Sequence, residues 1–150
     1  MAVVRHATVT WTGDLIDGGG TVTAYSSGAF TDLPVSWSAR TENSDGLTSP
    51  EELLAAAHAS CFSMAFSSNL AKAGHPPDHI HVSAEVTFDK LEGGWTVVSS
   101  ALEVAALVPG ISEAAFQEAA EAAKDGCPIS RALKGNVALS VDAVLETEDH

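Results

Sequence analysis

One long helix signal in the middle of the chain, flanked on both sides by segments of period two, sets what this protein can fold into. Ser49 offers an N-cap, Pro50 stands at the first helical position, and Glu52, three residues after the cap, completes a capping box. An Ala- and Leu-rich run then continues to about Ala73, where Gly74 stops it and Pro76-Pro77 prevent its resumption. Upstream, Val3 to Trp11, Thr21 to Tyr25 and Pro34 to Ala39 read as a β-meander turned at Gly18-Gly19-Gly20, and Thr41 to Thr48 as a polar loop. Downstream, His79 to Lys90 alternates, with Ile80, Val82, Ala84, Val86 and Phe88 on one face. Gly93-Gly94 turns the chain back into a strand from Trp95 to Leu107. Ser112 caps a second helix, Glu113 to Lys124, ended by Gly126, and Cys127 to Lys134 reads as a short helical turn. Asn136 to Leu145 alternates again, and the segment from Glu146 to His150 reads as a frayed tail. The order is that of an α+β fold, a mostly antiparallel β-sheet with a long central cysteine-bearing helix and a second helix. With 150 residues and no linker or repeat, residues 1–150 are expected to form one domain.

The chain is acidic, with net charge −13 and seven Lys and Arg. That balance argues against nucleic-acid binding and against anionic membrane surfaces. No apolar run approaches the roughly 20 residues of a membrane span, and the start lacks the apolar core of a signal peptide. The expected compartment is the cytoplasm, where two cysteines are more often redox-active or metal-binding than structural.

Those cysteines are unlike each other. Cys61 lies mid-helix; Cys127 lies between Gly126 and Pro128, just past a helix stop. One thiol on a rigid element and one at a turn suit a reacting thiol and a resolving thiol better than a passive staple. Helical spacing groups Cys61 with Leu54, Ala57, His58, Met64 and Ala65, so it is either a small core residue or a nucleophile. The second reading needs a cation, because burial raises a thiol pKa and the helix N-terminus is three turns away. Lowering a thiol from about 8.5 to about 5.5 takes about 4 kcal/mol of thiolate stabilisation. Only Arg5, Arg40 and Arg131 carry a guanidinium. Arg40, just upstream of the loop that feeds the helix, is the candidate, either as activator or as an ordinary surface side chain. Glu51 is not needed for the cap; it is a first-turn charge or the bidentate partner of Arg40. Glu51 and Cys61 are about 15 Å apart along one helix and about 80° apart around it, too far to share a small site. Unless an extended Arg40 bridges the gap, Glu51 belongs to a second copy of the chain, which implies a dimer. Arg131 is a second cation or a solvated side chain. His58 and Cys61, spaced i, i+3, would hold zinc only with Cys127 and a further histidine; no Cys-x-x-Cys supports that, and His75, His79 and His81 read as loop and strand surface.

The stretch Ser49-Pro50-Glu51-Glu52-Leu53-Leu54-Ala55-Ala56-Ala57-His58-Ala59-Ser60-Cys61-Phe62-Ser63-Met64-Ala65 resembles the first cysteine motif of the osmotically inducible protein OsmC family, which includes the organic hydroperoxide resistance (Ohr) proteins. Cys127-Pro128-Ile129-Ser130-Arg131-Ala132-Leu133 resembles its second. His58 and Met64 are similar to the OsmC branch. The resemblance implies an intertwined homodimer with sites at the subunit interface and thiol peroxidase activity in oxidative or osmotic stress defence. It implies Cys61 as the peroxidatic cysteine, Cys127 as the resolving cysteine, Arg40 as activator and Glu51 as its carboxylate partner. Organic hydroperoxides are the implied substrates, hydrogen peroxide a weaker one, and a small dithiol or lipoyl-type group the implied reductant. No metal, haem or flavin cofactor is expected. The alternatives are a non-catalytic module for small apolar ligands, with Leu54, Phe62 and Met64 as wall, and a zinc-binding protein.

Overall fold

A computed structural model describes residues 1–148, so Asp149 and His150 of the expected tail lie outside the described residues. The chain forms two compact units, Met1–Leu53 and the remainder from Leu54.

In the first unit, β1 (Thr8–Thr12), β2 (Gly19–Thr23) and β3 (Leu33–Val35) make an antiparallel sheet in the order β1-β2-β3. Trp11 pairs with Gly20 in this ladder. A Cβ on Gly20 would stand 2.8 Å from Trp11 Cε3, so the close approach of the indole requires glycine there. The strand expected over Pro34 to Ala39 ends at Val35 and gives way to a short helix, α1 (Trp37–Thr41). Ser36 is the reason: it is extended, and its Oγ accepts the Ala39 N–H at 3.1 Å, an N-cap inside an otherwise strand-like run. The long helix α2 (Pro50–Lys72) starts where expected. Ser49 Oγ accepts the Glu52 N–H at 3.1 Å, but the Glu52 carboxylate turns to the Thr48 hydroxyl at 2.8 Å instead of closing the capping box.

In the second unit α2 ends in a Schellman motif. Gly74 takes φ +88°, its N–H donates to Ala71 C=O and the His75 N–H donates to Leu70 C=O. The hairpin of β4 (His79–Leu91) and β5 (Gly94–Leu107) is antiparallel, with a bulge at Thr87/Phe88. The two helices that follow, α3 (Glu113–Gly126) and α4 (Pro128–Leu133), lead into β6 (Ala138–Leu145). β6 pairs with β5 in parallel, from Ser99↔Ala138 to Ala106↔Leu145. A parallel neighbour demands a long crossover, which α3 and α4 supply. The structure is thus α+β, with two three-stranded sheets, one of them mixed. Glu146 is not frayed: its N–H donates to Ala106 C=O, and its carboxylate meets His79 Nε2 at 2.9 Å.

The core of this unit takes Phe62, Phe66 and Leu70 from α2, Leu102, Val104 and Ala106 from β5, and Phe116, Ala120 and Ala123 from α3. The Phe66 ring lies 5.5 Å from that of Phe62 and 5.4 Å from that of Phe116. The spacing of four that aligns Phe62, Phe66 and Leu70 begins one turn earlier, at His58, and all four side chains are fully buried. Phe62 is therefore a core residue, while Met64 points out and is 73% exposed.

Candidate active site

Two clusters form, one in each unit. In the first, Arg40 sits in the last turn of α1 and Glu51 in the first turn of α2. Arg40 Nε donates to Glu51 Oε1 at 2.9 Å and to Oε2 at 3.1 Å, while Nη2 lies 2.8 Å from Oε1. Both carboxylate oxygens are engaged, the guanidinium stands 5.8 Å from the Trp37 ring centroid, and Glu51 is buried. Fixed this way, the guanidinium is oriented and its charge is only part-exposed. It lines a cavity of about 350 Å³ whose other walls include Val9, Trp11, Leu15, Val22, Trp37 and Leu53. A hole with apolar walls and one arginine suits a ligand with a hydrocarbon body and an electron-rich head.

In the second cluster, Cys61 on α2 is partly exposed, and Cys127, where α3 gives way to α4, is buried; both are free thiols. Their side chains are close enough to act on each other's ionisation. The Cys127 N–H closes α3 on Ala123 C=O at 2.9 Å, and its C=O accepts from Arg131 at 3.0 Å. The Gly126-Cys127-Pro128 turn thus carries the thiol from one helix end to the next, and Pro128 at the first position of α4 fits because its missing N–H has no partner to lose.

The two sulfurs are driven in opposite directions. Burial pushes the Cys61 thiol up, and the nearness of Cys127 adds to it; the Ile129 N–H and the Arg131 guanidinium pull it down but do not prevail. Burial would also raise Cys127, yet the Cys61 thiol, the Ser130 N–H and hydroxyl and the Ile129 N–H together hold it below the ordinary thiol value. Within the second unit, then, the surroundings favour charge on Cys127 over Cys61, and Arg131 is the cation that acts on Cys61. Arg40 belongs to the other unit.

His58 and two serines were not part of the expected site. His58 Nδ1 lies 2.6 Å from Ser100 Oγ on β5, and Nε2 lies 2.8 Å from Ser130 Oγ on α4. With both ring nitrogens engaged by hydroxyls, His58 is not free for a metal, and among the described residues no three His, Cys, Asp or Glu side chains gather into a metal site. The signal in the sequence was a histidine where an apolar stripe calls for leucine, one turn before Cys61. Burial lowers the His58 pKa. An unfolded chain therefore takes up this proton first as pH falls, so stability is full above about pH 6.5 and is lost on acidification below it. His58→Gln is expected to flatten the decline in urea midpoint between about pH 7 and 5.

The comparisons with known proteins bear on the family and the fold. The description "OsmC-like protein" matches residues 41–142, a span that holds Glu51, Cys61 and Cys127 and begins one residue after Arg40. Peroxiredoxin OsmC of Escherichia coli (strain K12) is 40% identical over 139 residues, 93% of this chain and 96% of that protein. The organic hydroperoxide resistance protein of Xanthomonas axonopodis pv. citri (strain 306) is 32% identical over 91 residues, 60% of this chain and 62% of that one. The crystal structure of the organic hydroperoxide resistance protein OhrB of Bacillus subtilis superposes with a TM-score of 0.69 at 25% identity, covering 93% of this chain and 98% of the other. A match across most of the chain, with both cysteine segments inside it and the same fold around them, places this protein in the OsmC-like family.

Proposed function

We propose that this protein is a thiol-dependent peroxidase that reduces organic hydroperoxides, and hydrogen peroxide more slowly, through Cys61 and Cys127. The observation that carries the reading is the nearness of two free thiols across two helices, one thiol partly open to solvent and the other buried at a turn, in a chain 40% identical to a protein named peroxiredoxin. The Cys61 thiolate attacks the outer oxygen of ROOH; the O–O bond breaks, ROH leaves after protonation, and Cys61 becomes a sulfenic acid. Cys127 displaces hydroxide from it to form a disulfide. An external dithiol then returns both thiols by exchange.

The upward push on Cys61 supports a second element of the proposal. Arg131 does not offset burial, so a further positive charge is needed at the sulfur. Arg40, pinned by Glu51 and lining an apolar cavity, is suited to supply it. Glu51 and Cys61 are ten residues apart on one helix, so we assign the pair to a second copy of the chain, in a homodimer whose site combines Cys61 of one protomer with Arg40 and Glu51 of the other. The cavity then receives the hydrocarbon part of the peroxide.

The test is consumption of cumene hydroperoxide against hydrogen peroxide by the purified protein, with a dithiol and a monothiol compared as reductants. Faster loss of the organic peroxide, sustained only by the dithiol, is expected. Absence of turnover with either peroxide and either reductant would end the proposal.

A further inference from the structure

His58 is a buried polar side chain that the peroxide chemistry above does not use. It occupies the head of the stripe His58, Phe62, Phe66 and Leu70, where a leucine would avoid the desolvation of an imidazole. The network is nevertheless complete: Ser100, His58 and Ser130 are all fully buried, and among the described residues no buried side-chain polar atom lacks a partner. Its placement is also specific. His58 and Cys61 are one turn apart on α2, and Ser130 and Cys127 are one turn apart at α4. His58 meets Ser130, and Cys61 lies near Cys127, two pairings in register between the same two elements. The Ser130 hydroxyl meets the imidazole and also contributes to lowering the Cys127 thiol. A chain of hydrogen bonds therefore runs from Ser100 through His58 to Ser130, one turn of α4 from Cys127, and the Ser130 hydroxyl is among the groups that favour the Cys127 thiolate.

We propose that His58, acting through Ser130, is the positioning residue of Cys127, aiming the Ser130 hydroxyl at its sulfur and preparing it to attack oxidised Cys61. The inference rests on the reading of Cys61 and Cys127 as peroxidatic and resolving cysteines. In the step concerned, the Cys127 S–H bond and the S–O bond of the Cys61 sulfenic acid break and the S–S bond forms. The thiol proton and the displaced hydroxide leave as water, so no outside oxidant or reductant enters. A neutral imidazole has one donor and one acceptor nitrogen, which gives the chain two polarities. With Cys127 as thiol, S–H donates to Ser130 Oγ, Ser130 O–H to Nε2, and Nδ1–H to Ser100 Oγ. With Cys127 as thiolate, Ser100 O–H donates to Nδ1, Nε2–H to Ser130 Oγ, and Ser130 O–H to the sulfur. The chain thus follows the charge of Cys127 without becoming charged itself. Burial keeps His58 neutral, and its polar neighbours are the Ser100 and Ser130 hydroxyls; the ionisable groups acting on the cysteine pair are Cys61, Cys127 and Arg131.

One equivalent of cumene hydroperoxide added to the reduced protein separates the half-reactions. Sulfenic acid is read by trapping with a dimedone probe, and the disulfide by mass. In Ser130→Ala and His58→Phe, disulfide formation is expected to slow by about tenfold or more while sulfenic acid formation changes by less than about threefold. The double variant should be no slower than either single one. Ser130→Thr, which restores the hydroxyl, should recover the rate. In a Cys61→Ser background, the thiolate absorbance of Cys127 should appear at higher pH once Ser130 is replaced by alanine. Disulfide formation at the wild-type rate, equal slowing of both steps, additive effects in the double variant, or an unmoved Cys127 titration would each overturn the inference. If His58→Phe does not fold, the Ser130 pair decides. Wild-type protein that consumes no peroxide would sink the peroxidase reading instead, and the Cys127 titration would still report on the hydrogen-bond chain.

Discussion

Cys61→Ser is expected to abolish hydroperoxide consumption, a loss of about 10⁴-fold or more, because the hydroxyl that replaces the thiol is neither ionised at neutral pH nor a soft nucleophile. The side chain is nearly isosteric and the position is only partly buried, so the fold should survive and its thermal midpoint should move little. Cys127→Ser provides the contrast. That variant keeps the first oxidation and loses the disulfide, so it should consume one equivalent of peroxide per chain, stop, and carry a trappable sulfenic acid at Cys61. Identical behaviour of the two variants would mean that the thiols have no division of labour. The pH dependence follows the same logic. Cys127 is the thiol held low and Cys61 the one held high within their own unit, so in a single protomer the thiolate absorbance should rise at lower pH in Cys61→Ser than in Cys127→Ser. In a dimer that brings Arg40 to Cys61, the order should reverse.

Arg40→Ala carries the second-largest expected effect. If the guanidinium stabilises the Cys61 thiolate, removing it returns the sulfur to the value that burial dictates, above the ordinary thiol range. Only a few per cent of even an unperturbed thiol is ionised at pH 7, and the departing alkoxide also loses a cation. Peroxide consumption should fall by about 10²-fold to 10³-fold and rise steeply with pH. Glu51→Gln should cost less, because the charge stays while its aim is lost. Mixing inactive Arg40→Ala and Cys61→Ser chains then tests the proposed assembly. In mixed dimers one of the two sites is whole, so up to about a quarter of wild-type activity should return after random exchange. No recovery on mixing would place Arg40 and Cys61 of each site in one chain. Full activity of Arg40→Ala alone would transfer the activating role to Arg131.

What was legible in the chain, and what was not, differs by the range of the forces involved. Ser49, Pro50 and Gly74 mark the ends of α2, and alternation from Ile80 to Phe88 marks a half-buried strand, because caps, φ preferences and side-chain periodicity act within a few residues. The pairing of Arg40 with Glu51 was accessible for a related reason: the chain has three arginines, and Arg40 stands just upstream of the loop that feeds α2, whose first turn carries Glu51 beside the residue expected to cap it. The short helix at Trp37–Thr41 was missed because the Val-Ser-Trp run has strand character and the Ser36 cap is a single-residue signal.

Local chemistry along the chain was enough to establish the α+β order, the long cysteine-bearing helix and the two cysteine segments that mark the family. Three-dimensional packing alone decided that β6 runs parallel to β5, that Ser100 and Ser130 enclose His58, and that the low thiol within the second unit is Cys127. Each of these depends on groups far apart in sequence arriving at one place: His58 and Ser130 are separated by 72 positions. Desolvation and hydrogen bonding between such groups set protonation, and no local pattern encodes them.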